Sequence, residues 1–148
     1  MACIIIVLTL FVEARLRLDE KHSLLLDLDS CVVFLEKLRW KDNPQCPYCK
    51  SLRNTPYPKE HRYHCNACNA TFSVTVNTLF HHSHIPLWKW FLAIEMFHTE
   101  KHISIRELAR RLSIAKSSAW LMTERFYAAM RDPLQRDLVL RIAQAARS

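Results

Sequence analysis

Four cysteines in two C-x-x-C pairs, Cys46-Pro47-Tyr48-Cys49 and Cys65-Asn66-Ala67-Cys68, are the side chains of this sequence best placed for chemistry. Fifteen residues separate the pairs, a spacing that lets two thiolate knuckles close on one ion. Four thiolates complete the tetrahedral shell of zinc and leave no position for water or substrate. Such a metal builds a fold and does no catalysis of its own. The expected cofactor is one structural Zn2+ held by Cys46, Cys49, Cys65 and Cys68. Four sulfurs also suit iron, so a rubredoxin-like electron-transfer centre is a competing reading. It would leave the basic C-terminal half without a role. His61, His64 and the run His81-His82-Ser83-His84 lie close in sequence to the pairs. A shell already filled by cysteine makes them polar linker or phosphate contacts rather than ligands. Cys3 and Cys31 fall outside the pattern and read as small buried apolar residues.

Other chemistry is hard to find. No nucleophile–base arrangement and no Gly-rich phosphate loop is present. The sequence of 148 residues has no glycine at all, against a usual share of about 7%. Turns that need a left-handed residue must use something else, and Asn43, Asn66, Asn69 and Asn77 stand where such turns are expected. The net charge of +7 favours an anionic partner. It is unevenly spread: residues 1–40 carry −1, residues 41–70 carry +3, and residues 101–131 carry +5. Met1 to Val12 is apolar but has neither a basic start nor a small-residue cleavage site. It is also shorter than the roughly 20 residues a bilayer requires. The expectation is a reducing, cytoplasmic and nucleoid-associated location, with no membrane partner.

Half the residues are hydrophobic, enough for one ordinary domain or two small ones. Residues 1–28 form a poorly defined N-terminal segment, in which Ile4 to Val12 fits a short strand or helix. Residues 29–43 read as a short helix, capped at Ser30, with Cys31, Phe34, Leu35 and Leu38 on one face. Residues 44–80 are the metal module. Strands are expected at Arg62-Tyr63-His64 and from Thr71 to Val76, giving a zinc ribbon too small to bury an adequate core unaided. Structural zinc supplies about 10–16 kcal/mol in comparable peptides. Residues 85–131 read as a helix-turn-helix module, and residues 132–148 as a tail with a short amphipathic run from Leu134 to Ala146. Within 85–131, Pro86 opens an almost wholly apolar helix, Leu87 to His98, which reads as a central core element. The fold class is therefore small α+β: a zinc ribbon of short antiparallel strands followed by an all-α helix-turn-helix module.

The basic charge is concentrated on the last two helices of that module. Ser104-Ile105-Arg106-Glu107 is a capping box opening a helix through Leu112. Ser113-Ile114-Ala115 breaks it, and a longer helix follows from Lys116 to Met130. Ala119, Met122, Phe126 and Ala129 or Met130 share its inner face. Lys116, Ser117, Ser118, Glu124 and Arg125 lie nearer solvent. In a helix-turn-helix the second helix enters the major groove by its N-terminal end. Lys116, Ser117, Ser118 and Arg125 are thus candidate DNA contacts, with Arg110 and Arg111 at the end of the first helix reaching phosphates.

These pieces together resemble the N-terminal half of bacterial insertion-sequence transposases that begin with a zinc ribbon and are related to the Merlin elements. The resemblance runs from about Cys31 to Asp132. It is carried by Phe34-Leu35-Glu36-Lys37-Leu38-Arg39-Trp40, by both cysteine pairs with Arg62-Tyr63-His64 before the second, and by Phe72 to Phe80. Pro86 to Ala93, Ser104 to Leu112, Ala119-Trp120 and Arg125 complete the set. The resemblance implies recognition of transposon-end duplex DNA. That family tends to have glycine where Asn43, Asn77 and Ser113 stand, and often serine in place of Ala115. It also continues into a ribonuclease-H-like domain whose Asp-Asp-Glu set holds two metal ions for strand cleavage. Asp132 and Asp137 cannot replace that set. The expectation is a truncated or split copy that does not cut DNA alone, working as a homo-oligomer or beside a separate catalytic transposase chain. Alternatives are a free-standing zinc-ribbon/helix-turn-helix regulator and a zinc protein-interaction module.

Overall fold

The structure, a computed structural model, describes residues 28–147. The expectations for Cys3 and for the run Ile4 to Val12 lie outside the described residues. Helix α1 (Leu28–Trp40) is already helical at the first of them, so Ser30 sits inside the helix rather than at its cap. Cys31, Val32 and Leu35 are buried along one face, as a 3.6-residue period requires.

Three short strands follow: β1 (Asn54–Tyr57), β2 (Arg62–Cys65) and β3 (Thr71–Phe72). They make an antiparallel sheet in that order. Asn54 pairs with Cys65 and Tyr57 with Arg62, while Tyr63 pairs with Phe72. The sheet edge accommodates Pro56, which has no N–H to give a neighbour. That proline is why β1 is not legible as a strand. The strand expected from Thr71 to Val76 ends at Phe72 instead. Beyond it the backbone turns repeatedly, with Val76 donating to Ser73 O, Thr78 to Thr75 O and His81 to Thr78 O at 3.1–3.2 Å. Val74, Val76, Leu79 and Phe80 are nevertheless buried. The β-branched composition of this stretch records burial, not extended pairing.

Four helices complete the described chain: α2 (Leu87–Thr99), α3 (Ile105–Leu112), α4 (Lys116–Arg131) and α5 (Pro133–Arg147). Helix α2 packs against all four other helices. It buries Leu87, Trp90, Phe91, Ala93 and Ile94. The amphipathic run near the C-terminus is helix α5, whose Leu138, Val139, Ile142 and Ala143 close the core over α1, α2 and α4. Arg141 Nη1 donates to Leu38 O at 2.7 Å, fastening α5 to α1.

Two apolar clusters result. The larger belongs to the helices and to Val74, Leu79 and Phe80. The smaller is Cys46, Cys65, Phe72 and Val76, inside the ribbon. Trp40 packs against both. At the end of α1 it meets Tyr63 and Phe72 edge-on, at centroid distances of 5.5 and 5.8 Å. Tyr63 Oη donates to Glu36 at 3.0 Å, and Arg39 Nη1 donates to Val74 O at 2.5 Å. Helix α1 is the strut that carries the ribbon on the helical body.

Candidate metal centre and nucleic-acid interface

The two cysteine pairs adopt the same local geometry. In the first, Lys50 N donates back to Cys46 O at 3.0 Å, and Cys46 N donates to Ser51 O at 3.0 Å. In the second, Asn69 N donates to Cys65 O at 2.9 Å, and Cys65 N donates to Ala70 O at 2.8 Å. Each knuckle ends on a left-handed residue, Lys50 at φ 63° and Asn69 at φ 58°. The fold thereby builds one half-site twice and faces the copies together. Antiparallel pairing of β1 with β2 supplies the return path.

The four sulfurs all lie within 4.8 Å of one another. Cys46 and Cys68 approach to 3.7 Å, and Cys49 and Cys65 to 3.4 Å. A tetrahedron of zinc–sulfur bonds near 2.3 Å has edges of about 3.8 Å, so the donor set and its dimensions fit one zinc ion. Cys46 and Cys65 are buried, whereas Cys49 and Cys68 face solvent. The thiols cannot all ionise side by side. For Cys65, burial opposes ionisation, but the N–H groups of Cys68 and Ala67 and the neighbouring thiols outweigh it and lower its pKa. For Cys68 the Ala70 N–H favours the thiolate, yet burial and the other three thiols raise its pKa. A divalent cation removes this conflict by making four thiolates favourable together. Among the described residues no other group of three or more His, Cys, Asp or Glu could hold a metal. The histidines at 61, 64, 81, 82 and 84 stand apart from the sulfur cluster.

Helices α3 and α4 form the second arrangement. Ser104 Oγ accepts from Glu107 N at 3.2 Å and caps α3. The Glu107 carboxylate holds Arg110 through two bonds of 2.9 and 2.6 Å and Arg111 through one of 2.7 Å. Those guanidinium groups, Arg110 first, keep the acid down at about 2. Arg111 also pairs with Glu100. Helix α3 stops in a Schellman turn: Ile114 N reaches Ala109 O at 3.0 Å, Ser113 N reaches Arg110 O at 3.3 Å, and Ser113 is left-handed at φ 50°. Lys89 of α2 donates to Ser113 O at 3.2 Å and braces the turn. Helix α4 then starts from Ala115, which offers no side-chain cap.

The candidate DNA residues separate into three kinds. Lys116 and Ser117 are exposed at the start of α4, and Ser118 is half-buried. Arg110 is exposed while still holding Glu107, and Arg111 is committed to two carboxylates. Arg125 turns inward: Nη1 donates to Leu79 O at 3.2 Å and His81 O at 2.7 Å. Its guanidinium therefore fastens α4 to the segment that leaves the ribbon. The helical period fails to place it because a long side chain at the border of two faces follows whichever acceptors are unpaired.

Residues 27–71 match the family described as the transposase zinc-ribbon domain. This stretch is a transposase-type zinc ribbon. The match takes in α1 as well as both knuckles, β1 and β2, and ends at Thr71 in β3, so the strut belongs to the transposase ribbon unit. Over 102 residues the chain is 31% identical to an uncharacterized protein in transposable element ISH50 of Halobacterium salinarum, an alignment covering 67% of this chain and 34% of that protein. The chain thus spans about a third of the length of the curated relative it matches. No solved structure matches. Among the described residues no helix is long and apolar enough to cross a membrane.

Two structural features of the ribbon and the helices are missed by sequence reasoning. One is the contact set Glu36, Arg39 and Trp40. A tryptophan six residues before a cysteine pair, following an acid and a base at helical spacing, is the signal that could have revealed it. The other is Trp120, which is 53% exposed on α4. An aromatic residue in a helix reads by default as core, but the helical period sets Trp120 well off the face of Ala119, Met122 and Phe126, and that offset is the signal that could have revealed it.

Proposed function

We propose that this chain is the DNA-binding module of a transposase and that it recognises the duplex at transposon ends. Zinc holds the ribbon, α1 ties the ribbon to the helical body, and α3 and α4 act as a helix-turn-helix. In this reading α4 enters the major groove, Lys116, Ser117 and Ser118 approach bases or phosphates, and Arg110 and Arg111 approach the backbone. Arg125 contributes by holding α4 in place. The observation that carries the reading is the exposed start of α4, with Lys116 and Ser117, set by a Schellman turn in a chain that also carries a transposase-type ribbon. The excess of basic over acidic side chains across residues 101–131 supports it. Strand cleavage and joining are assigned to a separate domain or chain, and the partner is that catalytic part or a second copy.

Selection of bound duplexes from a random pool, with zinc present at physiological salt, tests this. A recovered motif is the expected result, and its symmetry reports whether two copies bind. Uniform weak binding to all sequences would remove the recognition claim.

A further inference from the structure

The outward face of α4 differs from the one the helical period suggests. Arg125 is withdrawn to the carbonyls of Leu79 and His81. Ala119, Met122, Phe126 and Ala129 are buried. One turn after Lys116 and Ser117 the solvent side carries Trp120 at 53% exposure and Leu121 at 39%, and further along it Glu124 and Tyr127 are also exposed. Over the first two turns of α4 the exposed charge is basic, Lys116, with Arg106 and Arg110 exposed on α3, and the acid Glu124 follows one turn later. Basic side chains ahead of an apolar pair at the start of a helix complement a major groove, where phosphates line the edges and the floor presents bases. The apolar feature of that floor is the 5-methyl group of thymine.

Building on the helix-turn-helix reading, we propose that Trp120 and Leu121 determine specificity by packing against thymine methyl groups in the major groove. Lys116 and Ser117 set the register on the backbone, and the exposed ring and isobutyl group then select thymine over cytosine at one or two positions. Over the first two turns of α4, the part that enters a groove first, the face is apolar at Trp120 and Leu121 and basic at Lys116. A patch built to bind another protein has no need of that division.

The test uses the full zinc-loaded chain and a duplex recovered by selection. Each thymine is replaced in turn by deoxyuridine, which removes one methyl group and leaves the hydrogen-bonding edge intact. The expected result is a loss of about fourfold in affinity at one or two positions, the size of burying one methyl-sized group. Trp120→Ala and Leu121→Ala should bind the thymine and uracil duplexes equally. Lys116→Ala should weaken both and keep the difference between them. Because both apolar side chains are exposed, their variants should melt as the parent does, and the parent comparison decides the matter without them. Sequence-specific binding with no sensitivity to any thymine methyl would overturn this inference and leave the helix-turn-helix reading standing. Absence of sequence-specific binding would take down both.

Discussion

At the scale of single residues, the α3–α4 turn is where side chains most clearly decide the outcome. Ser113 holds a left-handed conformation that disfavours any residue with a Cβ. Ser113→Gly should raise stability by about 0.5–1 kcal/mol, read as a shift in the urea midpoint at constant slope. Ala115→Ser should add the missing cap to α4 and contribute about 1 kcal/mol. Lys116, proposed for binding, and Arg125, proposed as a brace, are separable by salt. For Lys116→Ala the slope of log affinity against log salt should fall by about one. Arg125→Ala should leave that slope unchanged and cost about 1–2 kcal/mol of stability, because it leaves two carbonyls without a donor. A reduced slope for Arg125→Ala would show that its guanidinium reaches phosphate after all. Among the asparagines expected to turn the chain, Asn69 and Asn77 are left-handed, whereas the other left-handed positions are Lys41, Lys50, His61, His82 and Ser113. Composition pointed to asparagine, but position in the knuckle or cap is what demanded the conformation.

At the scale of elements, the ribbon and the helices depend on different things. The ribbon's own apolar cluster is small, and its geometry rests on four sulfurs converging. The helices share a continuous core of their own. Cys65→Ser, or removal of zinc by a chelator, should therefore lower bound zinc and abolish the strand signal while most far-UV helix signal persists. Full zinc occupancy in that variant would refute the four-cysteine assignment. The parts of this plan legible in sequence are those set by spacing or period: the paired cysteines, the apolar α2, the capped α3 and the inner face of α4. Helix α1 is legible as a helix but not as a strut, because its contacts lie with Tyr63, Phe72 and Val74, which only the folded ribbon brings near. Strand β1 is hidden by Pro56, and the turns after Phe72 are hidden by residues chosen for burial. Helix α5 is recognisable as amphipathic, but its docking on α1 through Arg141 is a property of the assembled body.

For the whole molecule, the question is how firmly the metal module is held against the helical body. Tyr63 contributes to that hold, and its pKa is pushed up to about 12, first by burial and then by the Glu36 carboxylate. An acid whose folded pKa lies above its usual value near 10 favours the folded state below pH 10. That contribution fades as pH rises from 10 through about 12. Docking of the ribbon should loosen in this window in the parent and not in Tyr63→Phe. Zinc thiolates need no protons there, so metal loss should not accompany the change. Loss of zinc on the same titration would assign the effect to the metal instead. Trp40 gives the means to see it. Its indole meets the stacked rings of Tyr63 and Phe72 edge-on at the junction of the two bodies, while Trp90 sits deep among the helices. The protein therefore carries an intrinsic optical gauge of its own assembly: emission from the junction should shift to the red when the ribbon lets go, against a constant background from Trp88, Trp90 and the already exposed Trp120.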